Sequence, residues 1–199
     1  MAAMLATFGH ATARAAGPTA TERGVAEQLF IDGKRLMTDG RFDEACPKLA
    51  ESHRLDPGGG TVLNLAVCHE SQGRYASAWS EYHEAIDLAR TDGRRDREQF
   101  ALERLTKVES KVSRVTIYVD RAADIPGLVL TFDGESINRV AWGTPLPADA
   151  GMHEIAATAP GKLERRAMVQ IGTSADIKSV TLAPLEDAPP SPPSIAAAR

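Results

Sequence analysis

The sequence predicts an α+β protein of two domains, with α-helical hairpin repeats and a capping helix first and an antiparallel β-sandwich second. Three observations carry that prediction. Apolar residues recur at helical spacing from Glu22 to about Val112. Within that stretch a set of positions returns at one fixed period. At Ser113 the spacing changes to two, and short alternating segments separated by Pro and Gly follow.

Composition narrows the function classes. The chain has 199 residues and a formal net charge of −4, so no global basic surface for nucleic acid is present. Hydrophobic residues at 43% and charged residues at 25% match a globular protein. Aromatics are only 5%, so the core is expected to be mostly aliphatic. No apolar run reaches the length of a membrane-spanning helix. Residues 1–16 are small and apolar and end in Ala13-Arg14-Ala15, the form of a signal-peptidase site. They read as a degraded or truncated export signal lacking its charged start, the alternative being an Ala-rich tail.

The helical half follows from its punctuation. Leu29, Gly33, Leu36 and Met37 share one face of a first helix, which Gly40 ends. Phe42, Ala45, Leu49 and Ser52 share a face of a second, which Asp56-Pro57 and Gly58-Gly59-Gly60 end. A shift of 33 residues turns Gly40 into Gly73, Phe42 into Tyr75, Ala45 into Ala78, Leu49 into Tyr82 and Ser52 into Ala85. Gly33 becomes Ala66, and a small residue there lets two antiparallel helices approach closely. Phe100, Leu102, Leu105, Val108 and Val112 mark a fifth helix without the repeat's Gly and aromatic positions, read as a cap on the open end.

This order of small, Gly, aromatic, Ala, large, small and Pro resembles the tetratricopeptide repeat (TPR) over residues 26 to 90, at 33 residues rather than the family's usual period of about 34. The resemblance implies a concave face lined by the first helix of each repeat. By register that face takes Phe30, Lys34 and Met37 from repeat one, and Leu63, Asn64, Val67 and Glu70 from repeat two. Asn64 stands where peptide-binding members use a side-chain amide to hold a ligand backbone. The family's basic clamp for a terminal carboxylate is not evident beyond Lys34. The alternative is that this face is covered by the cap or the C-terminal half.

Cys46 falls on the second helix of repeat one and Cys68 on the first helix of repeat two. Such helices lie side by side in a repeat stack, which puts the pair within disulfide range if the chain is exported. In the cytosol both are small buried thiols. Cys68-His69-Glu70, with His53 and His83 elsewhere, lacks every metal-ligand spacing, so no metal and no cofactor is expected. There is no G-x-S-x-G, and Gly58-Gly59-Gly60 is not followed by Lys-Ser/Thr, so no catalytic residue is assigned.

In the C-terminal half Val115, Ile117 and Val119 alternate with polar neighbours in a first strand. Leu128 to Phe132 forms the next, and Asp133-Gly134 turns it into a returning strand, Ser136 to Trp142. Segments 153–158, 164–171 and 177–182 complete the set. The Asp133-Gly134-Glu135 hairpin, the Gly143-Thr144-Pro145-Leu146 step and Ala150-Gly151-Met152-His153-Glu154 resemble the PEGA-type domain of bacterial envelopes over residues 114 to 183. Ala148-Asp149-Ala150-Gly151 stands near the place of that family's naming tetrapeptide, which is not intact. The resemblance implies an adhesive or wall-associated module without enzymatic residues. Trp142 is its one sugar-contact candidate, an exposed ring able to stack on a pyranose, with a core plug as the alternative. Asp133, Glu135 and His153 are the sole loose acid/base cluster and read as turn residues.

The domains expected are therefore 1–16 signal, 17–112 helical repeats, 113–185 β-sandwich and 186–199 Pro-rich tail. Lys111-Val112 is expected to carry the helix almost into the first strand, giving a short stiff junction at Ser113-Arg114. The function expected is a non-enzymatic scaffold of the cell envelope, periplasmic or secreted, whose groove takes a protein or peptide. The alternatives are binding of a cell-wall polymer through the β domain and, for location, the cytoplasm.

Overall fold

The computed structural model describes residues 17–189. The signal at 1–16 and the Pro-rich segment from 190 onward lie outside the described residues. Five helices come first and seven strands follow, an α+β order.

Helix α1 (Ala20–Thr38) starts with a capping box. Thr19 Oγ1 accepts from the Glu22 N–H at 3.2 Å, and the Glu22 carboxylate accepts from the Thr19 N–H at 2.7 Å. It ends at Gly40, whose φ of +72° lets Arg41 N–H reach back to the Leu36 carbonyl at 2.9 Å. Helix α2 (Phe42–Leu55) then packs along α1. The approach is close at Gly33, where an added Cβ would lie 2.8 Å from Leu49 Cγ. Ser52 Oγ donates to the Ala26 carbonyl at 2.8 Å across the same seam.

Helices α3 (Gly59–Ser71) and α4 (Tyr75–Thr91) form the second hairpin, with Ala66, Ala78, Tyr82 and Ala85 buried at the positions of Gly33, Ala45, Leu49 and Ser52. The turn at Gly73, φ +75°, has the same hydrogen bonds as that at Gly40. Helix α5 (Arg95–Glu109) packs on α4 through Ala101, Leu105 and Val108. Cys46 of α2 and Cys68 of α3 are joined in a disulfide, Cα to Cα 5.7 Å, both side chains buried. It crosses the interface between the two hairpins.

The strands are β1 (Ser113–Val119), β2 (Val129–Phe132), β3 (Glu135–Ser136), β4 (Pro145–Ala148), β5 (Gly151–Thr158), β6 (Arg165–Ile171) and β7 (Ile177–Leu182). They make two sheets, ordered β4-β1-β7 and β3-β2-β5-β6. Val115, Ile117, Ala148 and Leu182 of the first share one core with Leu130, Ile155, Ala157 and Ile171 of the second.

Three expectations are corrected here. Pairing is not antiparallel throughout, because β1 and β7 run parallel from Arg114↔Ile177 to Val119↔Leu182. Alternation tells which residues face inward and carries no information on strand direction. The strand expected at Ser136 to Trp142 is only Glu135–Ser136, after which a single 3₁₀ turn, Arg139–Ala141, follows. There the Asn138 side chain accepts from the Val140 N–H at 3.2 Å, offering the backbone a local alternative to the ladder. Helix α5 stops at Glu109, and the Lys111 and Val112 N–H groups close a turn onto Val108 and Glu109.

The junction is nonetheless pinned. Ala175 N–H donates to the Lys111 carbonyl and Arg114 N–H to the Asp176 carbonyl, both at 2.8 Å. Buried Ser113 donates its hydroxyl to the Gly172 carbonyl at 3.2 Å and accepts from Asp176 N–H at 2.9 Å. The strand half also extends past residue 185. Leu185 is in the core, and Leu163 and Ala188 donate to the Glu186 and Gly161 carbonyls at 2.9 Å.

Candidate functional site

The inner helices α1 and α3, with α5 beside them, carry the residues that register assigns to a groove. Phe30 and Met37 of α1 are half-buried against the cluster of Leu36, Leu49 and the disulfide. Lys34 is exposed, its ammonium 5.4 Å from the Phe30 ring centroid. On α3, Leu63 and Val67 are half-buried on the core that α5 completes through Leu105. The structure thus leaves apolar residues on both α1 and α3 that are partly, not wholly, covered.

The polar members of the set are already engaged. Asn64 Nδ2 donates to the Gly60 carbonyl one turn back, at 2.7 Å. Glu70 accepts from the Tyr82 hydroxyl at 2.7 Å and pairs with Arg104 Nε of α5 at 3.0 Å. Burial, and then the Glu70 carboxylate, push the Tyr82 phenol well above its ordinary range. Glu70 therefore braces α3, α4 and α5 from within, and the free groove chemistry rests on Phe30, Lys34, Leu63 and Val67. Beside them a cleft of about 310 Å³ opens between Phe30 and Glu27 of α1, the Gly58–Gly60 turn and Arg97 of α5.

Trp142, the sugar-contact candidate, packs part of its ring into the strand half. It is half-buried on the strand core, its Nε1 donates to the Ile137 carbonyl at 3.4 Å, and the Arg139 guanidinium lies 5.6 Å from its ring centroid. In a domain so poor in aromatics the large ring is used for packing.

Asp133 and His153 do come together, Oδ2 to Nδ1 at 2.6 Å, while Glu135 is exposed on β3. The other ring nitrogen, Nε2, faces the Asp149 carbonyl at 2.8 Å. With acceptors on both nitrogens, only the two-donor imidazolium satisfies the site. Burial opposes that charge, but the Asp133 carboxylate and the Asp149 carbonyl outweigh it and raise the ring's pKa above its ordinary value. A general base needs a free nitrogen, and this ring has none. Among the described residues no group of three or more His, Cys, Asp or Glu is placed to hold a metal ion. No described helix is long and apolar enough to cross a membrane.

One assembly lay beyond the sequence reading. Asp149, at the β4–β5 turn, caps helix α4. Its Oδ1 accepts from the N–H groups of Ala76 and Ser77 at 2.8 and 3.1 Å. Its Oδ2 accepts from the Ser77 hydroxyl at 2.5 Å and from Arg74 Nε at 3.1 Å. The signal was present at the helix start. Arg74 offers no side-chain cap and the first turn of α4 has no acid, so its N–H groups required an acceptor from elsewhere.

In comparison with known proteins, no family model matches the chain, and no curated protein matches it either.

Proposed function

We propose that the chain is a non-enzymatic interaction module of the bacterial envelope, two tetratricopeptide-like hairpins and a cap joined to a PEGA-like sandwich. The inner face of α1 and α3 receives an extended or helical peptide segment, and the strand half serves as spacer or surface contact. The observation that carries this reading is the half-covered apolar stripe of Phe30, Met37, Leu63 and Val67 on the first helix of successive hairpins, with Lys34 at its edge. Stacked hairpins use such a face because it is continuous across repeats. The Cys46–Cys68 disulfide supports an oxidising compartment.

The test places a photo-crosslinking residue at position 34 or 67, and as controls at Asp87 or Arg90 on the exposed face of α4. In the native host, a discrete adduct is expected from 34 and 67 and none from 87 and 90. Equal labelling at all four positions overturns the groove. Maleimide labelling of the denatured protein before and after reduction tests the compartment, with two thiols expected only after reduction.

A further inference from the structure

Two histidines flank the contact between the helical and strand halves, and their surroundings demand opposite protonation states. His69, buried at the end of α3, faces Glu81 of α4 through Nδ1 at 2.8 Å and Arg74 Nη1 through Nε2 at 3.1 Å. Arg74 has only donors, so His69 Nε2 must accept and Nδ1–H must donate to Glu81. That is the neutral ring. A second proton, on Nε2, would point an N–H at the guanidinium. The same guanidinium donates through Nε to Asp149 and through Nη2 to Ser77 at 3.2 Å. On the other side, His153 is satisfied only as the cation, between the Asp133 carboxylate and the Asp149 carbonyl. His153 also stacks on Phe132, centroids 5.1 Å apart.

The path is continuous: Glu81, His69, Arg74, Asp149, His153, Asp133. Its centre is the carboxylate that caps α4. The charged groups facing His69 are Glu81, Arg74 and, across the cleft it lines with Gln72, Asp43 of α2. Those facing His153 are Asp133 and residue Asp149, itself paired with Arg74.

We propose that these residues form a latch between the two halves that is closed while His153 is charged and opens as its proton is lost. Toward alkali, loss of the His153 proton leaves a lone pair facing either Asp133 or the Asp149 carbonyl and frees the β4–β5 turn. The sign for His153 follows from its raised pKa: the stabilisation is full below the ordinary imidazole value and is lost as the pH rises through the folded value. With the junction at Ser113 still pinned to residues 172–176, opening widens the cleft of about 510 Å³ between Arg74, Ser77, Phe132, Asp133 and His153.

The test uses the full chain and follows exchange of the Ala76 and Ser77 amide protons by NMR. Protection is taken relative to the intrinsic rate at each pH, from about pH 5 to about pH 9, spanning the imidazole range. Protection is expected to fall at least about tenfold from acid to alkali, as befits bonds to a charged acceptor. Amides in the β5–β6 ladder should hold throughout. H153Q, which cannot carry the charge, should leave protection low and flat with pH, while D149A abolishes it at every pH. Ring ¹⁵N shifts give each histidine's protonation state in the same samples. A flat wild-type profile with the ladder intact overturns the latch. So does survival of the alkaline fall in H153Q, or full protection with His153 neutral. None of these outcomes bears on whether the groove binds a peptide.

Discussion

One substitution at two places in α1 tests the repeat packing directly. Gly33 and Gly24 lie in the same helix, so Gly→Ala gains helix propensity at both, up to about 1 kcal/mol. They differ in what the new methyl meets. At Gly24 nothing lies within 4 Å. At Gly33 the methyl would lie 2.8 Å from Leu49 Cγ and 3.0 Å from its Cδ2, and Leu49 is 0% exposed, walled in by Ala45, Cys46 and Leu36. Leu49 cannot swing into solvent, so the hairpin must open or the side chain must leave its rotamer. Overpacking of that kind costs about 1–3 kcal/mol. Set against the propensity gain, G33A should be destabilised by about 1 kcal/mol and G24A stabilised by somewhat less. For a urea slope of about 2 kcal/mol/M, the two midpoints should stand about 1 M apart. Helical circular dichroism in urea on the whole chain reads the difference. A midpoint for G33A equal to or above that of G24A would refute the close approach of α1 and α2 at this point.

Reducing the Cys46–Cys68 bond, which closes a loop of sequence separation 22, should cost about 3 kcal/mol from loop-closure entropy; urea midpoints of the helical transition with and without reductant measure it, and no shift counts against the clip. Y82F removes the hydroxyl bonded to Glu70 and should cost about 1 kcal/mol near neutrality. Because the buried phenol holds its proton above the ordinary range, the wild type should keep that stabilisation below about pH 10 and lose it progressively above, as the pH rises toward the raised folded value, whereas Y82F should lack this fall. Unfolding free energies on either side of about pH 10 decide it, and parallel slopes would sink the argument. W142A should destabilise the strand half by roughly 3 kcal/mol, with W142F milder, and leave sedimentation with purified cell wall unchanged in the folded fraction. Loss of sedimentation by folded W142A would favour the sugar-contact role instead.

The helical hairpins were legible because each position obeys a local constraint that recurs. Gly33 and Ala66 must be small for the helices to touch, and Gly40 and Gly73 must turn with positive φ. One shift of register tests all of them together. The strand half was legible in its faces and not in its connections. Val115 and Ile117 point inward whether β7 runs with β1 or against it, so alternation could not reveal the parallel pair. Asn138 beside a hairpin ended the third strand early, a competition between side chain and ladder that no period records. The groove was legible as a set of positions, and its chemistry was not. Glu70 reads as a free acid until Tyr82 and Arg104 are seen on it.

Asp149 marks the same boundary more sharply. In a strand-turn-strand context an Asp before Ala-Gly has every reason to be solvated. Its role depends on Ala76, 73 residues earlier, and no local pattern spans that distance. What the sequence does hold is a deficit. Arg41, Arg74 and Arg94 all stand at helix starts without a side-chain cap, but α2 has Asp43 and Glu44 in its first turn and α5 has Asp96 and Glu98. Helix α4 alone of the three has no acid in its first turn. Four N–H groups and the positive end of a helix dipole must then be satisfied by water or by another part of the chain. An acid from the strand half meets that need, so the two halves are coupled by the helix-capping requirement itself. The contact is therefore sensitive to whatever changes the charge around that one carboxylate, and His153 is the titrating group placed to do so.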